Sequence, residues 1–164
     1  MKIFLVIFTF AILSGCSQHN AEILSYGIVD NTTITTETNK ALLAGEKRII
    51  NSWNLTESTT EIPNKIGIEF GIAYVITPPS DKTSVSIEEV IVFPEEGLTN
   101  PVSKQSAKTD SEFLTIKPKK EQYFSYKLDR PWEAKSGTWL FQVKQDGVII
   151  LQQSFNVHYR TLQE

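Results

Sequence analysis

Residues 66–76, IGIEFGIAYVI, alternate between large apolar side chains and small or polar ones. A helix would repeat its apolar residues every three or four positions, whereas a strand sends alternate residues to opposite faces of a sheet. The pattern therefore predicts a strand over 66–77 that buries one face. The residues expected to face inward are Ile66, Ile68, Phe70, Ile72, Tyr74 and Ile76.

The same period of two recurs along most of the chain. The pair Asp146-Gly147 is typical of a tight hairpin turn, because these residues tolerate the positive φ that such turns require. An interruption of the apolar pattern at Gln152-Gln153 predicts a β-bulge. Further strands are predicted over 22–29, 46–56, 83–93, 112–117, 121–128, 138–144 and 148–159.

Two polar stretches separate the predicted strands. Residues 30–45 are rich in threonine and predict a loop with at most one short strand and a single turn at 40–44. Residues 94–111 contain two prolines and predict a solvated surface loop. A functional loop is the alternative for 94–111, because long loops in compact domains tend to be functional or mobile.

No segment shows sustained helical periodicity. About seven to eight strands at short spacing predict an all-β fold, an immunoglobulin-like antiparallel β-sandwich, with a small β-barrel as the alternative. The Cys…Trp…Cys pattern of antibody domains is absent, so the expected similarity is one of architecture. The predicted core contains Ile68, Phe70, Ile72, Phe124, Trp139 and Phe141.

The start of the chain predicts export. Met1-Lys2 is followed by the nearly continuous apolar run 3–13, which is too short for a bilayer that requires about 20 helical residues. Leu13-Ser14-Gly15-Cys16 resembles the lipobox of bacterial lipoproteins, in which the cysteine thiol is joined to diacylglycerol and the signal is cut just before it. The resemblance implies that Cys16 carries the lipid. The residue after the cysteine is Ser17 and not an aspartate, and in this respect the chain resembles outer-membrane lipoproteins.

These features predict a signal peptide at 1–15, a lipidated tether at 16–21 and a single β-sandwich domain at 22–164. Without Lys2 the chain carries 15 basic and 19 acidic residues, a net charge of −4. This balance argues against a nucleic-acid partner, which would require a basic surface. With Cys16 lipidated, the chain has no thiol left for a disulfide, so packing alone must hold the domain.

The sequence carries no readable catalytic or cofactor motif. His19 lies in the predicted tether and His158 near the end of the last strand, and neither has partners at zinc-ligand spacing. Glu88 and Glu89 are neighbours on a strand, so one of them is expected to face inward unless the strand bulges. We therefore predict no cofactor, no metal and no enzymatic activity. A solvated turn is the expected role of Lys117, Lys119 and Lys120.

Five short motifs occur in order along the chain: GIEFGIAY (67–74), FPEEGLTNP (93–101), YKLDRPWE (126–133), SGTWLFQV (136–143) and SFNV (154–157). Their order resembles a family of bacterial exported proteins catalogued as a domain of unknown function. The most specific pieces are the PWE and GTW motifs, and the resemblance spans about 22–157. It implies the sandwich fold and an exported location, and it brings no activity and no site residues.

Together these features predict a lipid-anchored protein of the bacterial cell envelope. The anchor would lie in the outer membrane and face the periplasm if the cell has two membranes. We expect a non-enzymatic module that binds another envelope protein, a peptide or a glycan. A structural or assembly subunit of an envelope complex is the first alternative, and a hydrolase whose site the sequence does not reveal is the last.

The connection 129–133, Asp-Arg-Pro-Trp-Glu, is the predicted recognition point. Pro131 fixes its own φ and stiffens the segment, so that little entropy is lost on binding. Arginine and tryptophan are frequent interface hot spots, and the predicted binding residues are Arg130, Trp132 and Glu133. The alternative is structural, with Trp132 covering one end of the sandwich while Arg130 and Glu133 pair nearby.

Overall fold

The computed structural model describes residues 20–31, 33–50, 52–79 and 81–159. The predicted signal peptide, Cys16 and His19 lie outside these ranges. The described residues form strands and no helix. The strands are β1 (Asn20–Val29), β2 (Thr33–Thr38), β3 (Glu46–Ile50), β4 (Leu55–Glu57), β5 (Glu61–Pro63), β6 (Glu69–Thr77), β7 (Val85–Val92), β8 (Leu98–Thr99), β9 (Ser106–Ala107), β10 (Thr109–Ile116), β11 (Gln122–Lys127), β12 (Gly137–Gln145) and β13 (Val148–His158).

Two larger sheets form the sandwich. One has the strand order β11-β6-β1-β4 and the other β10-β7-β12-β13-β5, and all their pairs are antiparallel except β13 with β5. The pairs β2–β3 and β8–β9 form separate two-stranded sheets. The two larger sheets keep separate edges, so the prediction of an all-β sandwich is confirmed and the alternative of a small barrel is wrong.

The core lies between the two sheets and is rich in aromatic rings. Phe70 on β6 contacts Trp139, Phe141 and Phe155 of the opposite sheet, with ring centroids 5.3 to 5.8 Å apart. Phe124 on β11 lies 4.9 Å from Phe141. The predicted core is confirmed, with Ile68 partly buried at its margin.

The strand β6 is buried on both faces, whereas the sequence predicted one. Ala73 pairs with Ser25 on one side and with Tyr123 on the other. Trp53 stacks on Tyr123 and donates its indole N–H to Ser25 Oγ at 2.9 Å, so its ring lies across the outer face beside Ala73. Ile66 precedes β6 and is 44% exposed, so its predicted inward position is wrong.

The predicted single strand at 46–56 is also wrong. β3 pairs with β2, whereas β4 pairs with β1 in the four-stranded sheet. Asp30 donates its backbone N–H to the carbonyl of Asn54. The two strands therefore belong to different sheets, which an alternating pattern alone does not reveal.

The end of the chain forms the predicted hairpin. Asp146 and Gly147 have φ of 50° and 78°, as the tight turn requires. Val143 pairs with Leu151 and Lys144 with Ile149, so the bulge lies between these pairs and not at the predicted Gln152-Gln153. The predicted loop 94–111 contains β8, β9 and the first residues of β10, which begins three residues earlier than expected.

Candidate functional site

A cleft of about 680 Å³ lies where the two sheets part, between the edge strands β10 and β11. The β2–β3 hairpin and the turn 129–133 supply the rest of its lining. The site therefore combines two strand edges with a two-stranded hairpin and one connection between strands. We call it the edge cleft.

The turn between β2 and β3 is fixed to the sandwich through Leu43, which is buried in the core. Its backbone N–H donates to both carboxylate oxygens of Asp110, at 2.9 and 3.0 Å. Its carbonyl accepts a 2.9 Å hydrogen bond from the side-chain amide of Asn100. These contacts satisfy the buried backbone groups of this turn and hold the hairpin beside β10.

The strand β3 reaches both sheets through adjacent basic residues. Lys47 pairs with Glu112 of β10 at 2.8 Å, and Arg48 pairs with Glu69 of β6 at 3.1 Å. Glu69 is buried and also accepts hydrogen bonds from Asn31 Nδ2 at 3.1 Å and Ser125 Oγ at 2.6 Å. A buried carboxylate with three such partners is well compensated, so Glu69 acts as a structural link.

Glu89 is the unusual acid of the edge cleft. It occupies the inward face of β7 between Ile87 and Ile91 and is 9% exposed. Its Oε1 accepts a 2.7 Å hydrogen bond from the hydroxyl of Tyr74. Burial raises the pKa of Glu89 to about 7, although the Tyr74 hydrogen bond acts in the opposite direction. Burial therefore favours the protonated form of Glu89 more than it would for an exposed glutamate.

Two further acids of β10 lie on the same face as Glu89. Glu112 is its direct partner across the antiparallel pair β7–β10, and Asp110 is the partner of Ile91. Burial raises the pKa of Asp110 to about 6, while the N–H of Leu43 partly offsets this. The wall of the cleft thus presents three carboxylates to the space between the sheets.

Tyr126 adds a hydroxyl to the opposite wall. It lies on β11 and lines the edge cleft, and its buried hydroxyl has no hydrogen-bond partner among the described residues. Burial raises the pKa of Tyr126 above its usual range, and the nearby charge of Glu133 adds to this effect. A buried hydroxyl without a partner costs about 1–3 kcal/mol, so a ligand that accepts or donates a hydrogen bond here would recover that energy.

The turn 129–133 places the three predicted binding residues in different surroundings. Arg130 and Glu133 line the edge cleft, whereas Trp132 is partly buried and packs against the core. Arg130 contacts Glu46 at 2.5 Å, the carbonyl of Ala44 at 3.2 Å and Glu133 at 3.5 Å. The structure therefore brings two of the three residues together at one end of the cleft.

The buried Glu133 stabilises this turn. One of its carboxylate oxygens accepts the backbone N–H groups of Asp129 and Arg130, at 2.9 and 2.7 Å. Burial raises the pKa of Glu133, and these hydrogen bonds and the charge of Arg130 act against the increase. The participation of Arg130, Trp132 and Glu133 in recognition stays a prediction.

Sequence reasoning missed most of the edge cleft, although one signal was present. Val85, Ile87 and Ile91 alternate as inward residues of the predicted strand, and the same spacing places Glu89 among them. The prediction that one of Glu88 and Glu89 faces inward is confirmed for Glu89. The inward position of Asp110 depends on a strand that begins earlier than predicted, whereas Glu112 lies within the predicted strand 112–117.

Other candidate chemistry lies away from the cleft. His158, on β13, contacts Glu61 Oε2 at 3.0 Å near the opposite edge of the five-stranded sheet. Within the four described ranges, no group of His, Cys, Asp or Glu side chains is arranged to hold a metal ion. None of the described segments forms a helix with the length and hydropathy of a membrane span.

The architecture defines an all-β sandwich with an acidic cleft at one open edge. An immunoglobulin-like protein from Pseudomonas aeruginosa has a similar crystal structure, with a TM-score of 0.61 and 19% sequence identity. The superposition covers 87% of this chain and 99% of that one, which confirms the immunoglobulin-like fold.

The family model described as Domain of unknown function (DUF3859) matches residues 17–157. Since the match spans most of the sequence, the chain belongs to this family. A comparison with curated proteins gives no match.

Proposed function

We propose that the protein is a lipid-anchored module of the bacterial cell envelope that binds, without catalysis, a peptide segment of another envelope protein. The observation that carries the proposal is the edge cleft. Its volume of about 680 Å³ lies within the range of about 300–1,000 Å³ that is usual for ligand sites. It also lies beside two edge strands, a position that suits an extended peptide.

The lining favours a peptide with a basic side chain. Glu89 and Glu112 are cross-strand neighbours, and among the described residues Glu112 alone forms an ion pair, with Lys47. Among the described residues Glu89 accepts a hydrogen bond through Oε1, from Tyr74, which leaves Oε2 for a ligand. A lysine or arginine placed there would compensate the buried charge and keep Glu89 ionised.

The anchoring part of the proposal rests on the sequence of the first 16 residues. Leu13-Ser14-Gly15-Cys16 follows a short apolar run in the order of a lipobox. Several acyl chains, each contributing about 0.8 kcal/mol per buried CH₂, would hold the domain firmly at a membrane. A binding module held there would meet partners of the same envelope.

The test is co-purification from native membranes with a variant that blocks the cleft. Gln122 lines the cleft on β11, and its side-chain amide donates to the carbonyls of Lys120 and Glu121, its neighbours in the chain. Gln122→Trp should therefore fill the mouth of the cleft without breaking a contact of the core. The matched control is Gln105→Trp, at an exposed position between β8 and β9.

We expect a stoichiometric protein partner with the unchanged chain and with Gln105→Trp, and its loss with Gln122→Trp. If the Gln122→Trp protein retains the partner, the partner binds outside the edge cleft. Co-purification of an envelope glycan in place of a protein would contradict the proposal of a peptide ligand, but it would still agree with the cleft as the binding site. A partner that binds irrespective of the cleft would support the assembly subunit instead.

A hydrolase is the second candidate, and one observation favours it. Glu89, with its pKa raised to about 7, stands beside Glu112, which is paired with Lys47. Two neighbouring carboxylates in different environments are the arrangement that acid–base hydrolysis uses. Turnover of an envelope polymer by the purified protein, abolished by Glu89→Gln, would favour this candidate over binding.

A further inference from the structure

We infer that one end of the sandwich docks on an anionic bilayer surface through Lys82, Lys117, Lys119 and Lys120, together with the apolar residues that follow the turn of the β12–β13 hairpin. The inference rests on the proposed lipid attachment at Cys16. It adds a second, electrostatic contact and an orientation of the domain that the lipid alone would not impose.

Strand registers identify the end at which the chain enters the sandwich. Asn20, the first residue of β1, pairs with Thr77, the last residue of β6. Ile116 at the end of β10 pairs with Val85 at the start of β7. The β6–β7, β10–β11 and β12–β13 connections therefore lie at this same end, which we call the basal end.

The predicted anchor lies close to the basal end. Four residue steps separate Cys16 from Asn20, and even a fully extended chain would span only about 14 Å over that length. Electrostatic screening acts over about 8 Å at physiological ionic strength. The basal end is thus held within one to two screening lengths of the membrane surface, where its charges affect its orientation.

The charge of the basal end is opposite to that of the whole chain. The connections 78–84, 117–121 and 146–147 carry four lysines and three acids, a net charge of +1, whereas the protein has a net charge of −3. All four lysines are exposed, and none forms an ion pair with another described residue. Unpaired lysines near the surface of an anionic leaflet are attracted to its headgroups.

Apolar side chains accompany these lysines. Val148 and Ile149 follow the turn of the β12–β13 hairpin and are 64% and 47% exposed. Exposed aliphatic side chains next to lysines suit the boundary between headgroups and acyl chains. The opposite end of the sandwich carries Lys104 and Lys108, which are also exposed and serve as an internal reference.

The test uses the full protein purified from membranes and placed on two kinds of vesicle. One contains phosphatidylcholine alone, and the other contains phosphatidylcholine with about 30% phosphatidylglycerol as the anionic lipid. The acetylation rate of each lysine is measured by mass spectrometry. The mass of the N-terminal peptide in the same sample reports whether Cys16 carries acyl chains.

We expect Lys82, Lys117, Lys119 and Lys120 to react roughly threefold or more slowly on the anionic vesicles. Lys104 and Lys108 should react equally on both, and about 0.5 M salt should remove the protection. The triple variant Lys117→Glu, Lys119→Glu, Lys120→Glu should lose the protection of Lys82, whereas Lys104→Glu, Lys108→Glu should keep it.

The outcomes separate the two ideas. An acylated protein whose basal lysines react equally on both vesicles, or whose Lys104 and Lys108 are protected instead, would overturn the docking surface alone. An N-terminal peptide without acyl chains would overturn the proposed lipid anchor. The proposed orientation of the domain at the membrane rests on that anchor and would be overturned as well.

Discussion

Tyr74 and Glu89 join the two sheets through a 2.7 Å hydrogen bond from the phenol hydroxyl to Oε1 in the interior. Tyr74 belongs to β6 and is fully buried, and Glu89 belongs to β7 of the opposite sheet. Burial raises the pKa of Tyr74 above its usual range, and the charge of Glu89 adds to this effect. The core therefore contains a carboxyl group, that of Glu89, whose pKa lies within the physiological pH range.

The first prediction concerns the pH dependence of stability. The pKa of Glu89 is about 7 in the folded protein against an ordinary 4.5, so the folded state binds this proton more tightly. Its contribution to stability is complete below about pH 4.5 and is lost as the pH rises through 7. At about 1.4 kcal/mol per pKa unit, the effect reaches a few kcal/mol.

Glu89→Gln should remove this contribution while it keeps an oxygen for the Tyr74 hydroxyl. The free energy of unfolding, measured by denaturant titration from pH 4.5 to 8, should therefore fall less steeply for the variant. The pKa of Asp110 is also raised, to about 6, so the free energy of unfolding of the variant should still fall somewhat as the pH rises. Glu88→Gln on the outer face is the control, and equal slopes for all three proteins would contradict the prediction.

The second prediction concerns the core. Phe70→Ala or Phe141→Ala should lower the free energy of unfolding by about 3–5 kcal/mol, since both rings are fully buried. Phe113→Ala on the outer face of β10 is the matched control, because that ring is 80% exposed and its loss should cost at most about 0.5 kcal/mol. Circular dichroism should show strand and no substantial helix in all three.

The third prediction concerns Trp132. Its indole packs against the core but is not fully buried, so Trp132→Ala should lower the free energy of unfolding by about 1–3 kcal/mol. Tyr159→Ala, at an exposed position, should leave the melting temperature unchanged. If Trp132→Ala instead leaves stability intact and weakens partner capture, the recognition role of this residue is supported.

The fourth prediction concerns the anchor. Cys16→Ser should abolish palmitate labelling and leave the precursor uncut by the lipoprotein peptidase, since the thiol is the group that takes the lipid. Radiolabelled palmitate and the size of the product on a gel measure both effects. Ser17→Ala is the control and should still be labelled. Uptake of label by the Cys16→Ser chain would show that the lipobox interpretation is wrong.

The sequence predicted the sandwich because period-two patterns report which face of a strand is buried. For this reason the pattern predicts Phe70, Trp139 and Phe141 as core residues, and the structure places all three in the core. The pattern does not report which strands become neighbours. The separation of β3 from β4, and the position of β3 beside both sheets, follow from tertiary contacts such as Lys47 with Glu112.

The edge cleft was less predictable for the same reason. The inward position of Glu89 follows from alternation, but its partner Tyr74 lies on the opposite sheet. Leu43 lies in a polar stretch that predicts a loop, and its burial depends on Asp110 and Asn100, which are 67 and 57 residues away. Such contacts link distant parts of the chain and leave no local signature.

The β2–β3 hairpin also affects how copies of the domain can meet. An uncovered edge strand offers unpaired N–H and C=O groups to another chain and promotes aggregation. Lys47 of the hairpin pairs with Glu112 on the edge strand β10, and Arg48 pairs with Glu69 on β6, the strand next to the edge strand β11. At the other edges, β4 and β5 are only three residues long. Extension of a sheet from one copy to the next is therefore disfavoured at the β4 and β5 edges.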